Sequence, residues 1–152
     1  EAVYDIDLEA NNECIKTVKK GLTPNETEKK AIEIITQGLV DLSILNGELN
    51  ELIEKGAYRD FYMHRVGHWI GMDVHDVGSY GLNGKWRKYS PGMITTIEPG
   101  IYFKENLKNV PEEYLNIGIR IEDDVLVTEG DPEVLTSSVP KTIIEIEKVM
   151  SS

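Results

Sequence analysis

The apolar pattern changes period once along this chain, and that change limits the folds open to it. Up to Gly56 the apolar residues recur every three or four positions. From Phe61 to Gly100 that spacing is lost, and glycines stand at 67, 71, 78, 81, 84, 92 and 100. Glycine at this density suits short strands, turns and shaped loops. Helices first and strands afterwards is the order of an α+β domain, in which helices pack on a mainly antiparallel sheet.

Within that frame, Val3, Ile6, Ala10, Cys14 and Val18 predict a helix over residues 2–20, with Gly21 placed to end it. Thr23-Pro24-Asn25-Glu26 announces a second helix: a capping hydroxyl, a proline at the first helical position and a carboxylate at the third. The spacing carries it from Pro24 to about Leu45, with Ala31, Ile34, Ile35 and Leu39 inward and Gly38 a weak point. A turn at Leu45–Glu48 leads into a short helix over Leu49–Lys55, closed by Gly56. Met93–Ile97 is a strand candidate stopped by Glu98-Pro99-Gly100. Gly118–Val127 is the clearest strand, with Ile119, Ile121, Asp123 and Val125 on one face and Arg120, Glu122, Asp124 and Leu126 on the other. After Pro140, the run Ile143, Ile144, Ile146, Val149 and Met150 predicts a terminal helix.

Composition narrows the function classes. The 152 residues are 40% hydrophobic and 28% charged, which describes one ordered globular domain with a core of its own. A net charge of −11 argues against nucleic acid as a partner, because a phosphate-binding surface needs net positive charge. No window approaches the roughly 20 apolar residues of a membrane-spanning helix. The single cysteine, Cys14, cannot make an internal disulfide; it reads as a core residue and suits a reducing compartment such as the cytoplasm. The charge is also uneven. Residues 1–60 carry net −6 and residues 91–152 net −7, while residues 61–90 carry net +2 and hold all three histidines. Such a centre, rich in His, Trp, Tyr and Gly, has the composition of a pocket wall. Lys85, Arg87 and Lys88 read as a solvated turn.

His64, His68 and His75 fall within twelve positions and can offer imidazoles as metal ligands or proton carriers. Asp73 or Asp76 can orient one of these rings. Glu98 closes an apolar strand, where sheet proteins often present functional groups. Glu122 shares a strand face with Arg120 and Asp124. One histidine and two glutamates from separate stretches suit Mn²⁺, Co²⁺ or Zn²⁺, alone or as part of a two-metal hydrolase centre. Trp69 and Trp86 can line a pocket or pack the core. No phosphate-binding glycine loop, serine nucleophile elbow or His-Glu-x-x-His helix is present.

Three ordered motifs then resemble one family. Gly67-His68-Trp69-Ile70-Gly71-Met72-Asp73-Val74-His75-Asp76-Val77-Gly78 is similar to the histidine motif of Xaa-Pro aminopeptidases, relatives of prolidase and methionine aminopeptidase. Pro91-Gly92-Met93 with Ile97-Glu98-Pro99-Gly100-Ile101-Tyr102 resembles their glutamate motif, and Asn116 to Asp124 resembles their last ligand strand. The likeness runs from about Ala2 to Met150. It implies a pita-bread α+β catalytic domain, with helices on a curved, mainly antiparallel sheet, holding two divalent ions, commonly manganese. By the same resemblance His68, Glu98 and Glu122 are metal ligands, and Glu98 is also the general base for the water that attacks the scissile carbonyl. His75 steadies the tetrahedral intermediate, His64 lines the proline side, and Arg120 and Trp69 shape the substrate pocket. The substrate implied is a peptide whose second residue is proline.

A complete site of that family also uses two aspartates on strands upstream of the helix that begins here. No such pair precedes Glu1, and Asp5 and Asp7 fall on the predicted first helix. The resemblance therefore implies that residues 1–152 are the carboxy-terminal portion of a catalytic domain, without the amino-terminal domain and the first part of the sheet. Metal binding by the isolated chain is expected to be weak or absent, and peptidase activity slight. Apolar surface and sheet edges left open would be covered by self-association or a sister fragment. Prolidase action on Xaa-Pro dipeptides, or a non-catalytic binding module of the same fold, are the alternatives.

Overall fold

A computed structural model describes residues 1–151. Three helices come first: α1 (Ala2–Ile15), α2 (Pro24–Asp41) and α3 (Leu49–Lys55), followed by a 3₁₀ turn over Ala57–Asp60. Short strands follow: β1 (Trp69–Ile70), β2 (Gly81–Leu82), β3 (Lys85–Trp86), β4 (Ile94–Ile97), β5 (Gly100–Tyr102), β6 (Gly118–Arg120), β7 (Asp123–Leu126) and β8 (Glu133–Val134). Helix α4 (Ile143–Met150) is the last element. Among the described residues no helix is long and apolar enough to cross a membrane.

The main sheet is antiparallel, in the order β1-β4-β7-β8. Strands β2 and β3 form a hairpin, and β5 pairs with β6 beside the main sheet. One register runs through both pairings: Ile97 lies opposite Asp123, and Gly100 opposite Arg120. The same register sets Glu98 across from Glu122, in a gap where the ladder is interrupted. Proline supplies no N–H to a ladder, and Pro99 occupies this gap. The continuous strand expected over Gly118–Val127 is therefore two strands, parted at Ile121-Glu122. Its alternation survives the break, since Ile121, Asp123, Val125 and Val127 are all buried.

Helices α1 and α2 cover the sheet. Ala10, Cys14, Ala31, Ile35 and Leu39 meet Ile97, Ile101, Val125 and Val127 in one core, joined by Phe61, Tyr62 and Phe103. Burial pushes the Cys14 thiol up to about 12. The capping box at Thr23 and Glu26 forms as its sequence requires, and Gly56 ends α3 in the left-handed conformation (φ 67°). Both long helices stop short of their expected ends. Thr17 Oγ1 donates to the Cys14 carbonyl at 2.7 Å, a local bond that competes with continued helix. Val18 still reaches the core from the turn that follows. At the end of α2, the N–H groups of Ile44 and Leu45 both donate to the Leu39 carbonyl and close the helix.

Candidate metal centre

Three stretches converge at the gap in the ladder. Thr96, at the end of β4, places Glu98 two residues on, and the junction of β6 and β7 supplies Glu122. The segment ahead of β1 brings His68. It is drawn against the Thr96–Glu98 stretch by two backbone bonds: Thr96 N–H donates to the His68 carbonyl at 2.9 Å and Glu98 N–H to the Val66 carbonyl at 2.7 Å. His68 N–H in turn donates to Thr96 Oγ1 at 2.9 Å.

Gly67 permits that approach. A Cβ there would stand 1.9 Å from the Thr96 carbonyl oxygen, which no side chain can occupy without moving one backbone off the other. Gly67→Ala is expected to cost about 1–3 kcal/mol of stability and to weaken metal binding with it; urea unfolding and metal titration of the same sample check both.

One ligand atom each from His68, Glu98 and Glu122 lies within 4.8 Å of the others. His68 Nε2 is 3.3 Å from Glu98 Oε1. The other ring nitrogen, Nδ1, is 3.0 Å from the Trp69 carbonyl, which can only accept. That bond calls for the proton on Nδ1 and turns Nε2 toward the two carboxylates, the orientation a ligand needs. Glu98 is held at both oxygens: Thr96 Oγ1 donates to Oε1 at 3.1 Å, and Arg120 Nη1 lies 3.4 Å from Oε2. Partial burial, and then the neighbouring Glu98 and Asp124 carboxylates, push Glu122 above the usual carboxylate value. An imidazole and two mutually repelling carboxylates fit a divalent cation, which would relieve the repulsion.

A directed hydrogen-bond chain flanks this cluster. Arg120 Nε donates to the Tyr102 hydroxyl at 2.7 Å. That hydroxyl lies 2.9 Å from His64 Nε2, and His64 Nδ1 lies 2.8 Å from the Arg65 carbonyl. Donation from Nδ1 leaves Nε2 to accept from Tyr102. His75 sits on the exposed loop after β1, its ring edge-on to His68 with centroids 4.4 Å apart. Trp69 goes elsewhere. It is 5% exposed, stacks on Tyr80 and belongs to the core behind the cluster. Asp73 and Asp76 do not orient His68, since the Trp69 carbonyl does so; Asp76 Oδ1 accepts instead from Gly78 N–H at 3.0 Å.

Residues that the motifs did not single out complete the surroundings. Thr96 precedes Glu98 by two positions and so shares its face, a signal that strand periodicity could have given. Tyr102 lies inside the glutamate motif. Glu28, from α2, accepts from Val66 N–H at 2.7 Å and braces the histidine stretch midway between His64 and His68; nothing in its local sequence marks it.

The model of the family described as metallopeptidase family M24 matches residues 1–129 of this chain. The chain belongs to that family. This M24 chain is 49% identical over 149 residues to the Xaa-Pro aminopeptidase of Haemophilus influenzae, a match covering 98% of it and 34% of that protein. It superposes with a TM-score of 0.96 on the aminopeptidase PepP of Pseudomonas aeruginosa, at 49% identity over 99% of this chain and 34% of the other. The E. coli aminopeptidase P, solved with the inhibitor Pro-Leu, gives a TM-score of 0.93 at 45% identity, again over 99% and 34%. The fold is thus the pita-bread-like α+β arrangement, helices on an open antiparallel sheet, covering part of the full domain. The chain spans about a third of the length of the relatives it matches.

Proposed function

We propose that these residues carry the His/Glu/Glu side of a two-metal centre that releases the N-terminal residue from peptides with proline in second place. On this reading they form the carboxy-terminal portion of the catalytic domain. The observation that carries the proposal is the convergence of His68, Glu98 and Glu122, from three separate motifs, to within 4.8 Å. The 49% identity to a Xaa-Pro aminopeptidase supports the substrate class.

The donor set, rich in oxygen, favours Mn²⁺, and Co²⁺ or Zn²⁺ can take the same ligands. Divalent ions bound here supply Lewis-acid polarisation of the scissile carbonyl and of water. Glu98 takes the proton of the attacking water. The bond from Thr96 and the Arg120 charge hold its carboxylate ready for that role. His75, exposed on the loop after β1 and edge-on to His68, donates to the tetrahedral oxyanion. His64, fixed by Tyr102, forms the proline side of the pocket, and Arg120 shapes its floor. Trp69 supports the pocket from the core. The net charge of −11 supports a peptide over nucleic acid as partner, and the free, buried Cys14 supports a cytoplasmic setting. Met72, Val77 and Met150 are 100%, 94% and 82% exposed, which supports their being covered by a second copy or by another part of the catalytic domain.

The test is an assay of the gene product with its intact mass and metal content measured on the same sample. Release of the first residue is expected from Xaa-Pro-Xaa tripeptides and not from Xaa-Ala-Xaa controls, with bound metal and Mn²⁺ stimulation. Cleavage of Xaa-Pro dipeptides alone would move the assignment to prolidase. A metal-free protein inactive on every peptide would end the enzyme reading.

A further inference from the structure

Helix α1 carries two buried polar side chains whose partners lie at the gap in the ladder. Asn11 Nδ2 donates to the Ile97 carbonyl at 3.0 Å and to the Ile121 carbonyl at 3.2 Å. Asp7 Oδ2 accepts from Ile121 N–H at 3.0 Å. Both residues are 0% exposed. Ile97 and Ile121 are the residues immediately before Glu98 and Glu122. Where the strands stop bonding each other, the helix therefore takes the backbone N–H and carbonyl of Ile121, and the Asn11 amide also reaches Ile97, the last paired residue of β4, so that it spans both strands.

A polar pair on the inner face of a helix otherwise lined by Val3, Ala10 and Cys14 is costly unless it is bonded. Here the cost is not fully met: Asp7 Oδ1 and Asn11 Oδ1 have no hydrogen-bond partner among the described residues. Apolar side chains would pack this face with less penalty, so core stability alone does not account for the pair. Its bonds do account for something else, the distance between two carboxylates that repel each other.

We propose that Asn11, seconded by Asp7, is a positioning residue of the metal centre: by gripping the carbonyls that precede Glu98 and Glu122 it sets their separation and aim. The inference rests on reading His68, Glu98 and Glu122 as ligands. A clamp of this kind acts before any metal arrives, since it holds the carboxylates together against their repulsion and leaves less reorganisation to binding.

Co²⁺ titration of the full gene product, read by calorimetry and visible absorption, tests the proposal when the metal-free unfolding midpoint is measured on the same samples. Asn11→Leu and Asp7→Leu are expected to weaken Co²⁺ binding about 10-fold or more and to alter the absorption envelope. Asp7→Asn keeps a carbonyl to accept from Ile121 and should remain within about threefold of the parent. Thr36→Val serves as the stability control. Thr36 is buried in α2 and bonds only the Ile32 carbonyl of its own helix, so its loss should lower the midpoint and leave Co²⁺ affinity and spectrum unchanged. Parental affinity and spectrum in Asn11→Leu would overturn the proposal, as would an equal loss of affinity in Thr36→Val. Should Asn11→Leu fail to fold, the contrast between Asp7→Leu and Asp7→Asn decides, and no difference between them overturns it. Failure of the ligand reading looks different: the parent protein binds no Co²⁺, or Glu122→Gln binds it as well as the parent.

Discussion

Glu98→Gln is expected to lower turnover of Xaa-Pro peptides by about 10²–10⁴-fold, the range for loss of a general base. The substitution keeps the shape of the side chain and removes its charge. Thr96 can still donate to the amide oxygen, but the amide nitrogen then faces Arg120, whose N–H groups it cannot accept as a carboxylate oxygen does. Steady-state kinetics with metal content measured alongside separates the two roles given to Glu98. If added Mn²⁺ restores the rate, Glu98 is a ligand and the proton acceptor lies elsewhere. If the rate stays low in fully loaded protein, the base assignment stands. Activity near the parental level would remove Glu98 from the mechanism altogether.

The second large effect is on stability. The side chain of Asp123 is 2% exposed and 2.9 Å from Lys141 Nζ, which also donates to the carbonyls of Thr136 and Val139. Thr136 Oγ1 donates to the same Asp123 oxygen. Removing one partner of a buried pair leaves the other charge without compensation, so Lys141→Ala is expected to cost about 3–5 kcal/mol. Replacing both, as Asp123→Val with Lys141→Met, should return at least half of that loss, because a well-packed apolar pair carries no desolvation penalty. Equilibrium urea unfolding of the two variants checks the pattern. Equal losses in both would mean that the packing of Lys141, and not its charge, matters.

Much of this was readable from local sequence, where the cause is local. Thr23 and Glu26 cap α2 because the two side chains sit three residues apart, and Ile121, Asp123 and Val125 share a face because strands alternate. The three residues that cluster as candidate ligands, His68, Glu98 and Glu122, were marked by motifs carried on short stretches. What escaped reading depends on pairing across the chain. The break at Ile121-Glu122 is caused by a proline on the facing strand, visible only once the register is known. Asn11 lies 86 and 110 positions from the carbonyls it holds, and no window includes both. Trp69 stands inside the histidine motif, yet the alternation of β1 turns it into the core. Asp123 was assigned to the apolar face by periodicity, but only the structure supplied Lys141 as the reason a carboxylate can live there.

Three acids stand in succession at Glu122, Asp123 and Asp124, and a strand that slipped by one place would offer the wrong one to the candidate centre. The half-buried lysine works against that slip. In the observed register Lys141 supplies Asp123 with its counter-charge, whereas a slip of one place would turn both Glu122 and Asp124 inward, two acids for one lysine. The pair at Asp123 thus favours one strand alignment, the one that keeps Glu122 and Asp124 together on the face turned away from the lysine.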